Sequence, residues 1–347
     1  MQIINTALCS FGMSGSVFHA PFLQLHPAFN FYAVCERSSD EAQKIYPQAK
    51  QYRRLQDMLA DEQVELVVVN TPNVLHFEHT KMALLAGKHV VCEKPFTTTY
   101  AEAKELIDLA AERSLQLTVY QNRRFDSDFR TIRSVLQQQL LGDIVEAEFH
   151  FDRFKLALNS KAHKEIAIKG TGALYDLGSH LLDQALQLFG FPIAVFADVM
   201  AMRPGSAVDD YFEVLLYYPT KRVRIRGSYF VKEPLPGYVI HGTIGSFIKP
   251  KTNIQEEQLQ AGISPDDPLF GIEPTDERGL LHTVIDGETI RDHLPSLTGS
   301  YLDYYEGVYQ AIRNNAALPV TAHQASDVIR LIEAAFKSHE QKAVVTF

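Results

Sequence analysis

Four residues in the stretch 170–190, GTGALYDLGSHLLDQALQLFG, have the types and spacing to move a proton. Asp176, His180, Asp183 and Gln187 are separated by 4, 3 and 4 positions, which puts them on one side of a helix. A histidine with a carboxylate one turn away on each side can be oriented and made more basic by one of them, which is what a general base for an alcohol proton needs. The same stripe would also suit a solvated helix face with His180 idle. Gly170, Gly172 and Gly178 at the entrance weigh against that, because they allow close approach. A second group is Cys92-Glu93-Lys94-Pro95. An ammonium directly after a buried strand can polarise a carbonyl or stabilise an alkoxide; taken alone, Lys94 also suits an ordinary surface position. Pro95 fixes the backbone beyond it and allows a cis bond.

A third group is the loop CSFGMSG, residues 9–15. It is the dinucleotide turn G-x-G-x-x-G with Ser10 in place of the first glycine. Gly12 would let the backbone approach a pyrophosphate, and Gly15 would let the following helix pack close to its strand. Ser10, Phe11, Met13 and Ser14 complete the candidate cradle. Two glycines alone equally suit a structural turn. Glu36, 24 residues after Gly12 at the next strand end, strengthens the cofactor reading, since a ribose-binding carboxylate is expected about 20 residues on. Glu36 favours NAD, because a carboxylate accepts from a ribose 2′-OH and repels a 2′-phosphate. Arg37 and Ser38 point towards NADP. Both cofactors stay open, with a slight lean to NAD.

These residues need a scaffold, and the hydrophobic pattern supplies one. Apolar runs at 3–9, 29–35, 65–71, 89–92 and 115–120 read as buried strands, alternating with helical stretches at 18–25, 40–46, 55–61 and 75–86 and one from Thr98 or Thr99 onwards. That alternation predicts a doubly wound parallel sheet, whose ligands bind beyond the carboxyl ends of the strands. The strand-end residues Thr71, Pro72, Asn73, Glu93, Lys94, Gln121 and Asn122, with His76, therefore join the expected cofactor site. His76 and His79 alone are too few ligands to indicate a metal, and no metal is expected.

After residue 120 the pattern changes. Helices are expected over 129–139, 174–189, 301–313 and 325–338. Residues 145–154 alternate apolar and polar as an antiparallel strand with one wet face, and 194–202, 211–218 and 222–230 read as further strands. Residues 249–298 read as an irregular lid or interface. The fold class expected is α/β: a Rossmann domain over 1–121, then an α+β domain over 122–347 with an open, mainly antiparallel sheet.

The bulk numbers exclude some partners. The 347 residues carry a net charge of −9, which argues against a nucleic-acid or anionic-membrane surface. No apolar run approaches the ~18 residues of a membrane span. Three cysteines without a CxxC pair fit a reducing cytoplasm.

Together the loop, the EKP at 93–95 and the D-x-x-x-H at 176–180 resemble the Gfo/Idh/MocA oxidoreductases. GMSGSVFHAPF, YQNRRFDSDF, GTGALYDLGSHLLDQ and GSYLDYYEGV resemble the branch with NADP-dependent scyllo-inositol dehydrogenases. The resemblance spans essentially the whole chain. It implies NAD(P)-dependent oxidation of a secondary hydroxyl on a cyclic polyol or sugar. It makes Lys94, Asp176 and His180 the catalytic group, with Arg123, Arg124 and Tyr305 beside the substrate. It also implies a homodimer or homotetramer formed through the open C-terminal sheet. Two departures stand out: Ser10, and residues 158–172, where related sequences carry a tryptophan–arginine pair and this chain has no tryptophan. Residues 159–169 are expected to line the active site, so the substrate need not be inositol. The alternatives are a cofactor-sensing regulator without turnover and a reductase of a non-sugar ligand.

Overall fold

A computed structural model describes residues 2–159 and 165–347. The chain forms two compact units, the first comprising residues up to Asn122 with Gln255–Phe270 and Ser300–Ser326, the second the remainder. No helix among the described residues is long and apolar enough to cross a membrane.

The first unit is built on six parallel strands: β1 (Ile4–Leu8), β2 (Phe29–Cys35), β3 (Lys50–Tyr52), β4 (Leu66–Val69), β5 (His89–Cys92) and β6 (Leu117–Val119). Their order is β3-β2-β1-β4-β5-β6. The central strands are apolar on both faces because helices cover both sides, and all four residues of β4 are buried. The connecting helices are α1 (Ala20–Leu25), α2 (Glu41–Ile45), α3 (Leu55–Leu59), α4 (His76–Leu85) and α5 (Tyr100–Glu112). The strand order reverses between β1 and β4, so the ends of these two strands frame the crevice where such sheets bind ligands. β3 escapes the hydrophobic pattern: it has three residues, lies at the sheet edge and has no fully buried side chain.

The second unit carries a nine-stranded sheet in the order β14-β13-β12-β11-β7-β10-β9-β8-β15. In chain order the elements from here are α6 (Ser127–Gln137), β7 (Ile144–His150), α7 (Ser179–Phe189), β8 (Ala194–Met200), β9 (Tyr211–Tyr217), β10 (Arg222–Ser228), β11 (Tyr238–Gly242), β12 (Gly245–Lys249), α8 (Ile254–Gln260), β13 (Gly279–Ile285), β14 (Glu288–Leu294), α9 (Leu302–Asn314), α10 (Ala322–Gln341) and β15 (Val345–Thr346). The sheet is antiparallel except where β7 meets β10. β7 therefore corrects the expectation of a purely antiparallel strand. The chain leaves β7, crosses through α7 and two strands, and has the length a parallel return requires.

The irregular reading of 249–298 is also corrected: this stretch holds α8, β13 and β14. β14 is exposed along nearly its whole length, so it shows no inward-outward alternation. A legible signal was nonetheless present, since Asp286-Gly287 is a two-residue hairpin turn with both φ positive, 52° and 83°.

α5 begins with a reciprocal cap. Thr99 Oγ1 accepts the Glu102 N–H at 3.2 Å, and Glu102 Oε2 accepts the Thr99 N–H at 3.0 Å. Replacing Thr99 by alanine is expected to cost about 1 kcal/mol in chemical denaturation, and Thr99→Ser to recover most of it.

Candidate active site

The loop after β1 is fixed by a residue at the end of β4. Asn70 Oδ1 accepts the Ser10 N–H at 3.0 Å, Asn70 Nδ2 donates to the Ser10 carbonyl at 2.8 Å, and the Ser10 hydroxyl donates to the Asn70 carbonyl at 2.9 Å. Serine at the first glycine position thus adds a bond of its own. Gly15 packs into this lock: a Cβ there would lie 2.5 Å from the Ser10 oxygen and 2.8 Å from Asn70 Nδ2. Gly12 has nothing within 4 Å of its Cβ position, so its backbone stays open to an approaching group. Phe11 turns away from that side and packs on Phe31 and Tyr46. The loop runs directly into a π-helical stretch, Ser14–His19, and then α1; such wide turns recur at functional sites. Met13 and Pro72 are exposed, and Thr71 and Asn73 are half-buried.

Glu93, at the end of β5, reaches the same loop. Its Oε1 accepts the Ser14 hydroxyl at 2.5 Å and lies 3.0 Å from His19 Nε2, while its Oε2 accepts the Lys94 N–H at 3.0 Å. Burial pushes the Glu93 carboxyl up, but the His19 hydrogen bond and charge, with Ser14 and Lys94, outweigh it and hold the group well below the usual carboxylate range. The Lys94–Pro95 bond is cis. His76 is fully buried, with its ring nitrogens 2.8 Å from the carbonyls of Pro95 and Thr71, so it ties two strand ends together. Gln121 is 2% exposed and its Oε1 meets no hydrogen-bond donor among the described residues; Asn122 beside it is buried. The open face at Gly12, the lock at Gly15 and the unmatched Gln121 oxygen fit a dinucleotide.

Glu36, expected at the ribose, is buried just after β2. Its carboxylate accepts from the Ser39 hydroxyl (2.7 Å), the Glu41 N–H (3.2 Å), the Ala42 N–H (3.0 Å) and Gln51 Nε2 (3.5 Å). Four donors match the roughly four acceptor sites of a carboxylate, and through the Glu41 and Ala42 N–H groups Glu36 caps α2. Arg37 and Ser38 next to it are exposed.

In the second unit, α7 is entered through a π-helical turn, Leu174–Gly178, which carries Asp176. Leu177, Leu181 and Ala185 pack into the core. His180 is 5% exposed, so it does not face solvent, and its ring lies 6.4 Å from that of Phe151. Asp183 does not flank His180 as a free carboxylate. It is clamped by Arg124 through Nε at 2.7 Å and Nη2 at 2.6 Å. Arg123 is buried too, donating to Asp126 at 3.1 Å and to Asn253. Tyr305, expected beside the substrate, belongs to the first unit; it is fully buried, and its hydroxyl lies 2.6 Å from His19 Nδ1. Of residues 159–169, positions 160–164 lie outside the described residues. Among the described residues no group of three or more metal-ligand side chains comes together.

Sequence reasoning assigns no role to three residues that hold these groups: Asn70, His19 and Asp209. Asn70 was findable, standing at the same strand end as Thr71. Asp209 Oδ2 accepts the Leu174 N–H at 2.7 Å, and its backbone carbonyl accepts the Ala173 N–H at 2.9 Å, so it fixes the helix start two residues before Asp176. Gly172 must be glycine for two reasons: its φ is +94°, and a Cβ would sit 1.8 Å from Asp209 Oδ1. Burial pushes the Asp209 carboxyl up to about 6, against the pull of its N–H donors.

The comparisons cover the whole chain. Residues 4–121 match the family described as "Oxidoreductase family, NAD-binding Rossmann fold", and residues 133–347 match its "C-terminal alpha/beta domain". The chain is 40% identical to an uncharacterized oxidoreductase of Schizosaccharomyces pombe, covering 99% of this chain and 100% of the other. It is 39% identical to a scyllo-inositol 2-dehydrogenase (NADP(+)) of Bacillus subtilis, covering 99% and 96%. The crystal structure of a putative oxidoreductase from Bacteroides fragilis superposes with a TM-score of 0.92 at 43% identity, covering 100% of both chains.

The raised Asp209 carboxyl has a defined pH signature. Its ionised form is disfavoured by folding, so the penalty is complete above pH 6, fades as pH falls through 6 and is gone below the unfolded value near 4. Asp209→Asn, isosteric with the protonated acid, is expected to be more stable than wild type by about 1–3 kcal/mol at pH 7.5, with the gap closing towards pH 4.5 in thermal melts.

Proposed function

The chain belongs to the Gfo/Idh/MocA oxidoreductase family, and on that premise we propose that it is an NADP-dependent dehydrogenase acting on a secondary hydroxyl of a cyclic polyol or sugar. The observation that carries the reading is His180, buried on a helix whose first turn is fixed by Asp209 and Gly172 and bears Asp176. A base so placed is shielded from bulk water, which suits proton abstraction from an alcohol.

The loop Ser10–Gly15 and the strand ends with Gln121 would hold the dinucleotide, which when bound supplies the hydride-accepting nicotinamide. In oxidation, His180 takes the hydroxyl proton of the carbinol while its C–H hydrogen leaves as hydride, and a carbonyl forms. Lys94 donates to the reacting oxygen and stabilises its developing negative charge. Asp176 binds an adjacent hydroxyl or orients His180. Arg124 acts through Asp183, as the anchor of α7. The open sheet is the surface proposed for self-association.

The preference for NADP rests on Glu36. With its carboxylate engaged by four donors, discrimination passes to Arg37 and Ser38, which lie exposed at the same strand end and carry donors suited to a 2′-phosphate. The name of the Bacillus subtilis relative, which specifies NADP(+), supports the same choice.

A panel of inositols, aldoses and sugar acids with each cofactor, read by nicotinamide absorbance, tests the reading. Turnover with NADP is expected, and Arg37→Ala should weaken NADP binding about tenfold while sparing NAD. His180→Ala and Lys94→Ala should each lower kcat about 10²–10⁴-fold. Dinucleotide binding without turnover of any panel member would instead indicate a regulator. A wild-type preference for NAD would return the ribose to Glu36.

A further inference from the structure

His19 and Tyr305, the buried end of one chain of hydrogen bonds in the first unit, are used by none of the steps above. The chain runs Tyr305, His19, Glu93, Ser14. His19 is fully enclosed, with Glu93 Oε1 3.0 Å from Nε2 and the Tyr305 hydroxyl 2.6 Å from Nδ1. Its ring is walled in by Tyr120, with centroids 4.5 Å apart, and by the edge of Tyr305. Tyr305 is itself locked: it is 0% exposed and packed between Phe22, stacked at 6.1 Å, and Phe29 at 5.6 Å. The imidazole therefore has one available orientation. It gives the Glu93 carboxylate a fixed partner, and that carboxylate grips Ser14 in the loop at 2.5 Å and the Lys94 N–H at 3.0 Å.

We propose that His19 and Tyr305 are positioning residues for the dinucleotide: through Glu93 they set the place of the glycine-rich loop relative to the strand end that bears Lys94. The inference rests on the loop being the dinucleotide site. The Glu93 carboxylate is joined both to the Ser14 hydroxyl and to the Lys94 N–H. A carboxylate that lost its His19 partner would be free to take other rotamers, and the loop N–H groups would move with Ser14. Misplacing a binding or reacting group by about 1 Å can cost on the order of 10²-fold. α9, which carries Tyr305, returns to this unit from far along the chain, and this contact gives that return a role in ligand binding.

The test uses Tyr305→Phe, which keeps the ring and its packing and removes only the hydroxyl, with His19→Gln and the double variant. Affinity for NADP and for NAD is read by quenching of reduced-dinucleotide fluorescence, and stability by thermal melts. Tyr305→Phe should weaken dinucleotide binding several-fold and His19→Gln about tenfold or more. The double variant should be no worse than His19→Gln alone, because both act through one chain. With any accepted substrate, the KM for dinucleotide should rise more than kcat falls. Lowered melting temperatures with unchanged dinucleotide affinity in Tyr305→Phe and His19→Gln would make the chain merely structural and overturn the proposal. Should His19→Gln fail to fold, Tyr305→Phe alone decides. If wild type itself binds neither dinucleotide, the loop assignment falls, and this inference with it.

Discussion

A glycine-containing loop has few side chains with which to fix its own shape, so its geometry depends on groups borrowed from other strands. Here two strand ends supply them. Asn70, after β4, makes three hydrogen bonds to Ser10, and Glu93, after β5, takes the Ser14 hydroxyl. The first fixes where the loop begins and the second where the helix begins. Between these ties Gly12 stays open. The cost of ordering the loop is thus met on folding rather than on binding, which is the condition for a preorganised anion cradle at a helix start.

The same logic recurs in the second unit with different chemistry. α7 must present Asp176 and His180 from a helix that packs closely on its sheet. Asp209 caps its first turn, Gly172 leaves room for that carboxylate, and Arg124 clamps Asp183 further along. Both chemistry-bearing helices also start with a π-helical turn. In each case the candidate residues are fixed by polar groups whose partners are supplied by the fold.

Much of this was legible in the sequence because it is local. Buried strands show as short apolar runs, and β2 and β5 have the limits their runs suggest. The loop glycines, Lys94 and the Asp176–His180 spacing stand out as candidates within a few neighbouring residues. What was not legible is long-range. Asn70 lies 60 positions from Ser10, Glu93 74 from His19, and Tyr305 286 from His19. No periodicity encodes such pairings. Glu36 shows the converse: its place after β2 suggests a ribose ligand, yet Ser39, Glu41, Ala42 and Gln51 occupy its carboxylate. β3 and β14 escape because edge strands lack the two-sided or alternating burial that makes others readable.

The central claim is that the dinucleotide loop is held in its binding shape by Asn70 and Glu93 before any ligand arrives. Amide hydrogen exchange at residues 10–15 of the ligand-free protein measures this directly. Wild type should show slow exchange at Ser10, whose N–H is bonded to Asn70. Asn70→Ala should raise that exchange strongly while the β4 and β5 amides stay protected. Equal protection at Ser10 in wild type and Asn70→Ala, with the sheet intact in both, would contradict the account.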